Sequence, residues 1–338
     1  MARHQGTARW VLAAAGVVLL PLAHWLLQRL QPAARLPMPV VEMPGEVAAA
    51  EPEPLEGDLE AALYQAARRG RVARALELLE LGADPHALPA EGERDRRSLP
   101  VLAAVLPDLR LLRELIARGV DVNAAHGALT PLLAATRDSW HGRPEAVMTL
   151  LANGADPRVA DAEGNTPMHH AARSSDPGVV ALLRDAAAEI DVPNNDGWTP
   201  LGVACLAGNW RLARFLLERG ARVQVDGAVS PLVAAAGGDD DDPAGVQLLL
   251  KYKARPDGAD RDGRTALHRA AHAGHAAIAA GLLAAGADVS ARDAQQRTPL
   301  LEAARGGRLA TLEVLAEAGA GVGAVDADGR GALALACL

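Results

Sequence analysis

Three things are scarce in this chain of 338 residues. Aromatic residues make up only 2% of it, with one phenylalanine, so an interior of large rings is excluded and the core must be Ala, Leu and Val. Such side chains suit closely stacked helices and suit a sandwich of sheets poorly. Lysine occurs only as Lys251 and Lys253, while arginine is abundant. That imbalance reads as a GC-rich, bacterial genome. Arginine is then the default surface cation, and a single one says little about function. The two cysteines, Cys205 and Cys337, are far apart in sequence and form no CxxC pair, which excludes a disulfide framework and a dithiol redox centre. Both read as small buried hydrophobes. A net charge of −8 argues against nonspecific nucleic-acid binding. No P-loop, HExxH, GxSxG or dinucleotide fingerprint is present, which argues against an enzyme and gives no reason to expect a cofactor.

What the chain has is an internal repeat. Three copies show it best: Asp196-Gly-Trp-Thr-Pro-Leu201 with Leu216-Leu-Glu-Arg-Gly-Ala221; Asp262-Gly-Arg-Thr-Ala-Leu-His268 with Leu282-Leu-Ala-Ala-Gly-Ala-Asp288; and Glu163-Gly-Asn-Thr-Pro-Met-His169. The period is about thirty-three residues, a length that signals stacked supersecondary units. Each part has a physical role. The Thr hydroxyl caps a first helix, and Pro fits its first turn, where no N–H is needed. Ala pairs such as Ala171-Ala172 and Ala270-Ala271 let that helix pack closely, and Leu doublets give the second helix its buried face. Gly82, Gly119, Gly154, Gly220, Gly286 and Gly319 sit where a helix ends in a left-handed residue. Asp-Gly then turns the chain into a hairpin finger.

These motifs resemble the ankyrin-repeat family over about the last four-fifths of the chain. The resemblance implies an all-α solenoid of helix–loop–helix units with fingers on one side. The units are anchored on the Pro position at Ala62, Pro100, Pro131, Pro167, Pro200, Pro231, Ala266, Pro299 and Ala332, giving eight two-helix repeats and a terminal half repeat over 57–338. The first two are degenerate, as an end cap is expected to be.

Ahead of the repeats, Trp10 to Leu27 is eighteen residues without a formal charge. Extended to Leu30 it spans roughly 30 Å as a helix, about one hydrocarbon core. Residues 10–30 are expected to form one transmembrane signal anchor behind a basic segment at 1–9, with a cleaved signal peptide as the second reading. Residues 31–56, rich in Pro, Ala and Glu, read as a tether without a core. The flanking arginines balance, so orientation rests on the N-terminal amine, which places the repeats outside the cytoplasm, in a Gram-negative cell the periplasm. The opposite orientation stays open.

Several clusters invite chemistry and have plainer explanations. His268, His272 and His275 have spacings that suggest a metal site, but the family resemblance assigns His268 and His275 to local hydrogen bonds, and no metal site is expected. The run Asp239-Asp-Asp-Asp242 reads as a solvated loop, since adjacent carboxylates cannot all converge on one ion. The loop Arg137-Asp-Ser-Trp-His-Gly-Arg143 holds Trp140, either a contact residue or a ring folded back over the solenoid edge.

The resemblance also implies a binding face. Two positions per repeat, the residue before Thr-Pro and the residue after the Ala pair, face the concave side. The first holds Asn165, Trp198, Val229, Arg264, Arg297 and Arg330; the second holds Arg137, Arg173, Leu206, Gly237, His272 and Arg305. Trp198 and Leu206 form an apolar centre flanked by arginines, which suits an acidic peptide or protein. The expectation is a monomeric, membrane-tethered, non-catalytic module that binds a protein through its concave face and finger tips. The competing reading is a periplasmic accessory factor that protects or assembles an oxidative-stress enzyme.

Overall fold

The computed structural model describes residues 58–89, 95–125, 129–137, 143–173 and 176–337. The chain divides into two units, Met1–Glu56 and Gly57–Leu338, and the described residues all belong to the second. The expected anchor at 10–30, the tether and Trp140 lie outside the described residues. Among the described residues, no helix is long and apolar enough to cross a membrane.

The described residues form eight helix pairs and one further helix: α1 (Leu59–Arg68) with α2 (Val72–Glu80), α3 (Leu99–Ala104) with α4 (Arg110–Ala117), α5 (Pro131–Arg137) with α6 (Pro144–Ala152), and α7 (Pro167–Arg173) with α8 (Pro177–Asp185). Then come α9 (Pro200–Leu206) with α10 (Trp210–Glu218), α11 (Pro231–Ala236) with α12 (Ala244–Lys251), α13 (Ala266–Ala273) with α14 (Ala276–Ala284), α15 (Pro299–Arg305) with α16 (Leu309–Glu317), and the lone α17 (Ala332–Ala336). First helices stack on first helices and second helices form the other layer, so each pair packs on its chain neighbours. No strand occurs among the described residues; isolated bridges such as Ala259 with Thr265 close the finger bases.

The caps work as their residue types predict. Thr199 Oγ1 accepts the Gly202 N–H at 3.2 Å, and Thr130 accepts that of Leu133 at 3.3 Å. The second unit departs from the expected register. Its first helix starts at Leu99 with Ser98 as N-cap, so Leu99 holds the Pro position and Pro100 lies one step inside. Gly119 then follows the anchor by the same interval that separates Gly220 from Pro200. Proline fits the first turn at either step, because neither N–H is needed there, so it marks the anchor only to within one residue.

The core is the aliphatic one that the scarcity of rings requires. Leu132, Met168, Leu201, Leu232, Leu267 and Leu300 line the seam between first helices, with Ala135, Ala171, Ala204, Ala235, Ala270 and Ala303 one turn on. Tryptophan enters where glycine leaves room. A Cβ on Gly245 would stand 2.5 Å from the Trp210 ring, and one on Gly202 would stand 2.9 Å from that of Trp198. In α17 only Leu335 is buried, and Leu333 is 82% exposed.

The six helix-ending glycines all have φ between 83 and 99°. In the fourth and sixth units the same position holds Ala187 at 61° and Lys253 at 63°. A side chain there crowds the following carbonyl and costs on the order of 1 kcal/mol. Ala187→Gly and Lys253→Gly should therefore each raise stability by about 0.5–1 kcal/mol, read as a higher urea midpoint, despite glycine's freer unfolded chain. A lower midpoint in both would show that the position is unstrained.

Histidine joins neighbouring units. His169 Nδ1 accepts the Thr166 N–H at 3.1 Å and lies 2.9 Å from its hydroxyl, while Nε2 reaches the Trp198 carbonyl at 3.0 Å. His268 repeats this with Thr265 and the Arg297 carbonyl at 2.9 Å. Since Nδ1 accepts a backbone N–H, the proton sits on Nε2; the Nδ1 bond needs the neutral ring, while Nε2–H donates to the carbonyl in either charge state. Burial pushes both imidazoles below the ordinary 6.5, against the carbonyls that pull them up. The unfolded chain thus takes up protons first as pH falls. The stability these rings contribute is full above about 6.5 and is lost below it, down through the depressed folded value. The thermal midpoint should drop between pH 7.5 and 5.5, and His169→Gln with His268→Gln should flatten that slope; an unchanged slope would assign it to other groups.

Candidate protein-binding surface

The bases of five fingers are each built on one side-chain oxygen. Asp161 Oδ1 accepts the N–H of Asn165 at 2.7 Å, and Asn194 Oδ1 that of Trp198 at 2.9 Å. Asp260, Asp293 and Asp326 do the same for Arg264, Arg297 and Arg330 at 2.9, 2.9 and 2.8 Å. Every acceptor also takes the N–H two residues on. The residues so held are those of the first expected row. Val225 replaces the acceptor in the sixth unit, and there the Val229 N–H donates to the Gly197 carbonyl at 2.7 Å instead. Adjacent fingers are tied in the same way by Asn195 N to Glu163 O, Ala294 N to Asp262 O and Ala327 N to Gln295 O.

Trp198 is half-buried against Gly202 rather than fully displayed, and Leu206, at the end of the same first helix, is 53% exposed. Leu206 borders a cavity of about 360 Å³ together with Trp210, Gly237 and Asp239. Arg137 and Arg173 are exposed, and their charges help to hold the buried His170 imidazole below its ordinary value, after burial itself; Asp161, 2.8 Å away, opposes them. Arg137, Arg173 and Leu206 of the third to fifth units are therefore exposed, and Trp198 is half-buried.

The arginines of the last units do not stand free as expected. Asp293 and Glu302 have buried side chains, and the expected cations surround them. Arg264 Nε lies 3.6 Å and Arg297 Nε 3.4 Å from Asp293 Oδ2. Arg297 Nη1 lies 2.9 Å from Glu302 Oε1, Arg305 Nη2 3.0 Å from Oε2, and His272 Nδ1 3.3 Å from Oε2. The Arg297 side chain is only 11% exposed. These residues form an internal ion cluster: two carboxylates set against three guanidinium groups leave little field for a partner. Burial, and then Arg305, push the His272 imidazole down.

The acidic loop is also more than a solvated run. Asp241 of the sixth unit accepts the Ala277 and Ile278 N–H groups at 2.9 and 3.0 Å, capping α14 of the next, and Asp242 accepts the Ala244 N–H at 2.9 Å. His275 Nδ1 lies 3.2 Å from the Ala236 carbonyl, a link between units. Among the described residues no three His, Cys, Asp or Glu side chains converge as a metal site would need. Burial pushes the Cys205 thiol up to about 12, which leaves it inert.

The family description "Ankyrin repeats (3 copies)" matches residues 100–194, 133–227 and 224–293, together more than half of the chain. The chain belongs to the ankyrin-repeat family. Among known proteins it is similar to the mouse (Mus musculus) "B-cell lymphoma 3 protein homolog", with 34% identity over 196 residues, 55% of this chain and 42% of that protein. It is 33% identical over 149 residues to the chicken (Gallus gallus) "Nuclear factor NF-kappa-B p105 subunit", covering 43% of this chain and 15% of that protein. The chain thus spans less than half the length of these relatives. The crystal structure of the human ASB11 ankyrin repeat domain superposes with a TM-score of 0.53 at 27% identity, covering 62% of this chain and 92% of that one. The ankyrin array is an interaction module and not a catalyst.

Proposed function

We propose that the ankyrin array binds a partner protein through the exposed face carrying Arg137, Arg173, Trp198 and Leu206 and through the adjoining finger tips. The observation that carries this reading is Leu206: a large apolar side chain, 53% exposed, at the end of a first helix beside a cavity, in a unit where every neighbouring leucine is covered. Trp198, seated on Gly202, supplies a rigid apolar flank, and Arg137 and Arg173 supply positive charge on one side. A partner segment with an apolar anchor and nearby acidic residues fits that arrangement. Leu206→Asp should lower capture of partners from a native extract at least ten-fold at any salt. Arg173→Glu should weaken capture mainly at low ionic strength, since an exposed charge acts over about a Debye length. Retention of every wild-type partner by both variants would sink this face.

We further propose that residues 10–30 anchor the chain in a bacterial inner membrane, with the array in the periplasm. The long uncharged run supports the anchor, and the N-terminal amine, with the flanking arginines equal in number, supports the orientation. After carbonate extraction of membranes the full-length chain should stay in the pellet. Its release would overturn the anchor, and a mature chain that begins after residue 30 would replace it with a cleaved signal.

A further inference from the structure

Between the second and third units, the loop after α3 and the starts of α4 and α6 enclose a cavity of about 630 Å³. Leu106, Leu109 and Ala146 give it apolar walls, and three guanidinium groups, Arg110, Arg113 and Arg143, line it. Arg110 is committed to Asp108, with Nη2 2.7 Å and Nε 2.9 Å from Oδ2. The side chains of Arg113 and Arg143 make no hydrogen bond or ion pair with any described residue, and Arg143 Nε is buried without an acceptor.

Arg143 occupies an unfavourable place. It is the N-cap of α6, a nine-residue helix, and no side chain accepts that helix's first N–H groups. The corresponding helices of the next three units are capped by an oxygen: Asp176 accepts from Gly178 at 2.8 Å, Asn209 from Leu212 at 3.2 Å, and Asp242 from Ala244 at 2.9 Å, whereas α2 and α16 start, like α6, at an arginine, Arg71 and Arg308, with no side-chain acceptor. A helix start carries partial positive charge, so a cation there is repelled where an anion is favoured. A buried guanidinium nitrogen without an acceptor adds a second penalty. One negatively charged group in the cavity would remove both. The acids that line the cavity do not supply it: Asp108 is held by Arg110, and Glu145 is exposed at the rim.

We propose that this cavity takes an oxyanion, a carboxylate or a phosphoryl group, carried on a segment of a partner protein. Its oxygens accept N–H groups from the Arg113 and Arg143 guanidinium forks and from the first turn of α6, while an adjacent aliphatic residue covers Leu106 and Leu109. The net charge of −8 sets a nucleic-acid backbone aside as the source of that anion. This inference rests on the protein-binding reading and concerns a place well removed in sequence from Leu206.

The test uses the full-length chain and three fluorescein-labelled peptides of one sequence, Gly-Leu-X-Leu-Gly, with X phosphoserine, glutamate or serine, followed by fluorescence anisotropy. The phosphoserine or glutamate peptide should bind at least ten-fold more tightly than the serine peptide. Tighter binding of phosphoserine identifies a phosphoryl group; equal binding of the two acids identifies a carboxylate. The variant Arg113→Ala/Arg143→Ala should lose this preference while melting no earlier than wild type, because a repelled cation has been removed. Arg214→Ala, an exposed arginine on α10, should keep the preference. Inorganic phosphate should raise the thermal midpoint of wild type and not of the double variant. Equal binding of the serine peptide, or an undiminished preference in the double variant, overturns the proposal. If the acidic peptides fail while Leu206→Asp still abolishes partner capture, the cavity assignment falls and the protein-binding reading stands.

Discussion

One oxygen atom in each of five units governs how those units present themselves. The finger-base acceptor, Asp161, Asn194, Asp260, Asp293 or Asp326, gathers two backbone N–H groups of its own finger. A finger has no ladder of strands to satisfy its amides, and unpaired amides near a packed core are costly. The side chain supplies the missing acceptor and sets the angle at which the chain enters the next Thr or Pro. The second amide it holds belongs to the residue that heads the exposed face. The acceptor that stabilises a finger therefore also sets the direction of the residue at its base, so folding and side-chain placement are set by one bond. Where Val225 interrupts the series, the amide turns to the neighbouring finger, and the scaffold keeps its register.

The chemistry of the exposed face is then decided by a single position inside each first helix. In α7 that position is His170, which pairs with Asp161, and in α13 it is Arg269, which pairs with Asp260 at 2.9 Å. In α15 it is Glu302, and beside Asp293 it makes a doubly negative interior. Arginine at three surrounding positions is the compensation, since two buried carboxylates without cations carry desolvation and mutual repulsion with nothing to offset them. Arginines that look like a basic groove in the sequence are thus drawn inward by what lies beneath them. The opposite holds in the third and fourth units, where a neutral Ala134 and the paired His170 leave Arg137 and Arg173 at the surface.

The parts of this fold that sequence reveals are those set by chemistry within a few residues. Thr199 before Pro200, Gly220 after α10 and His268 after Thr265 each act on their own turn, and each is where its type predicts. The register of the second unit is not legible to the residue, because Pro100 is acceptable one step inside the helix, which makes proline an imprecise marker. The fate of Arg264 and His272 cannot be read locally, because their partners Asp293 and Glu302 belong to the next unit. Asp241 as the cap of α14 is hidden for the same reason: the path of an expanded loop has no sequence rule. The recurrence of Asp161, Asn194, Asp260, Asp293 and Asp326 at a fixed interval before each anchor is legible in the sequence, and it is a better guide to the face than the arginines.

Tyr64 occupies the histidine position in the first unit, with its hydroxyl 2.7 Å from the Asp95 carbonyl and 2.9 Å from that of Arg97. A phenol keeps its proton across the whole range in which an imidazole changes charge. The seams of the array are therefore not chemically alike. Acid strips the Nδ1 acceptor from the helix starts at Thr166 and Thr265, while Nε2–H still donates to the next unit, and it leaves the Tyr64 hydroxyl as it was. A mildly acidified molecule would lose two helix caps at preset places while its joints stay closed, so the array carries its own map of where it yields.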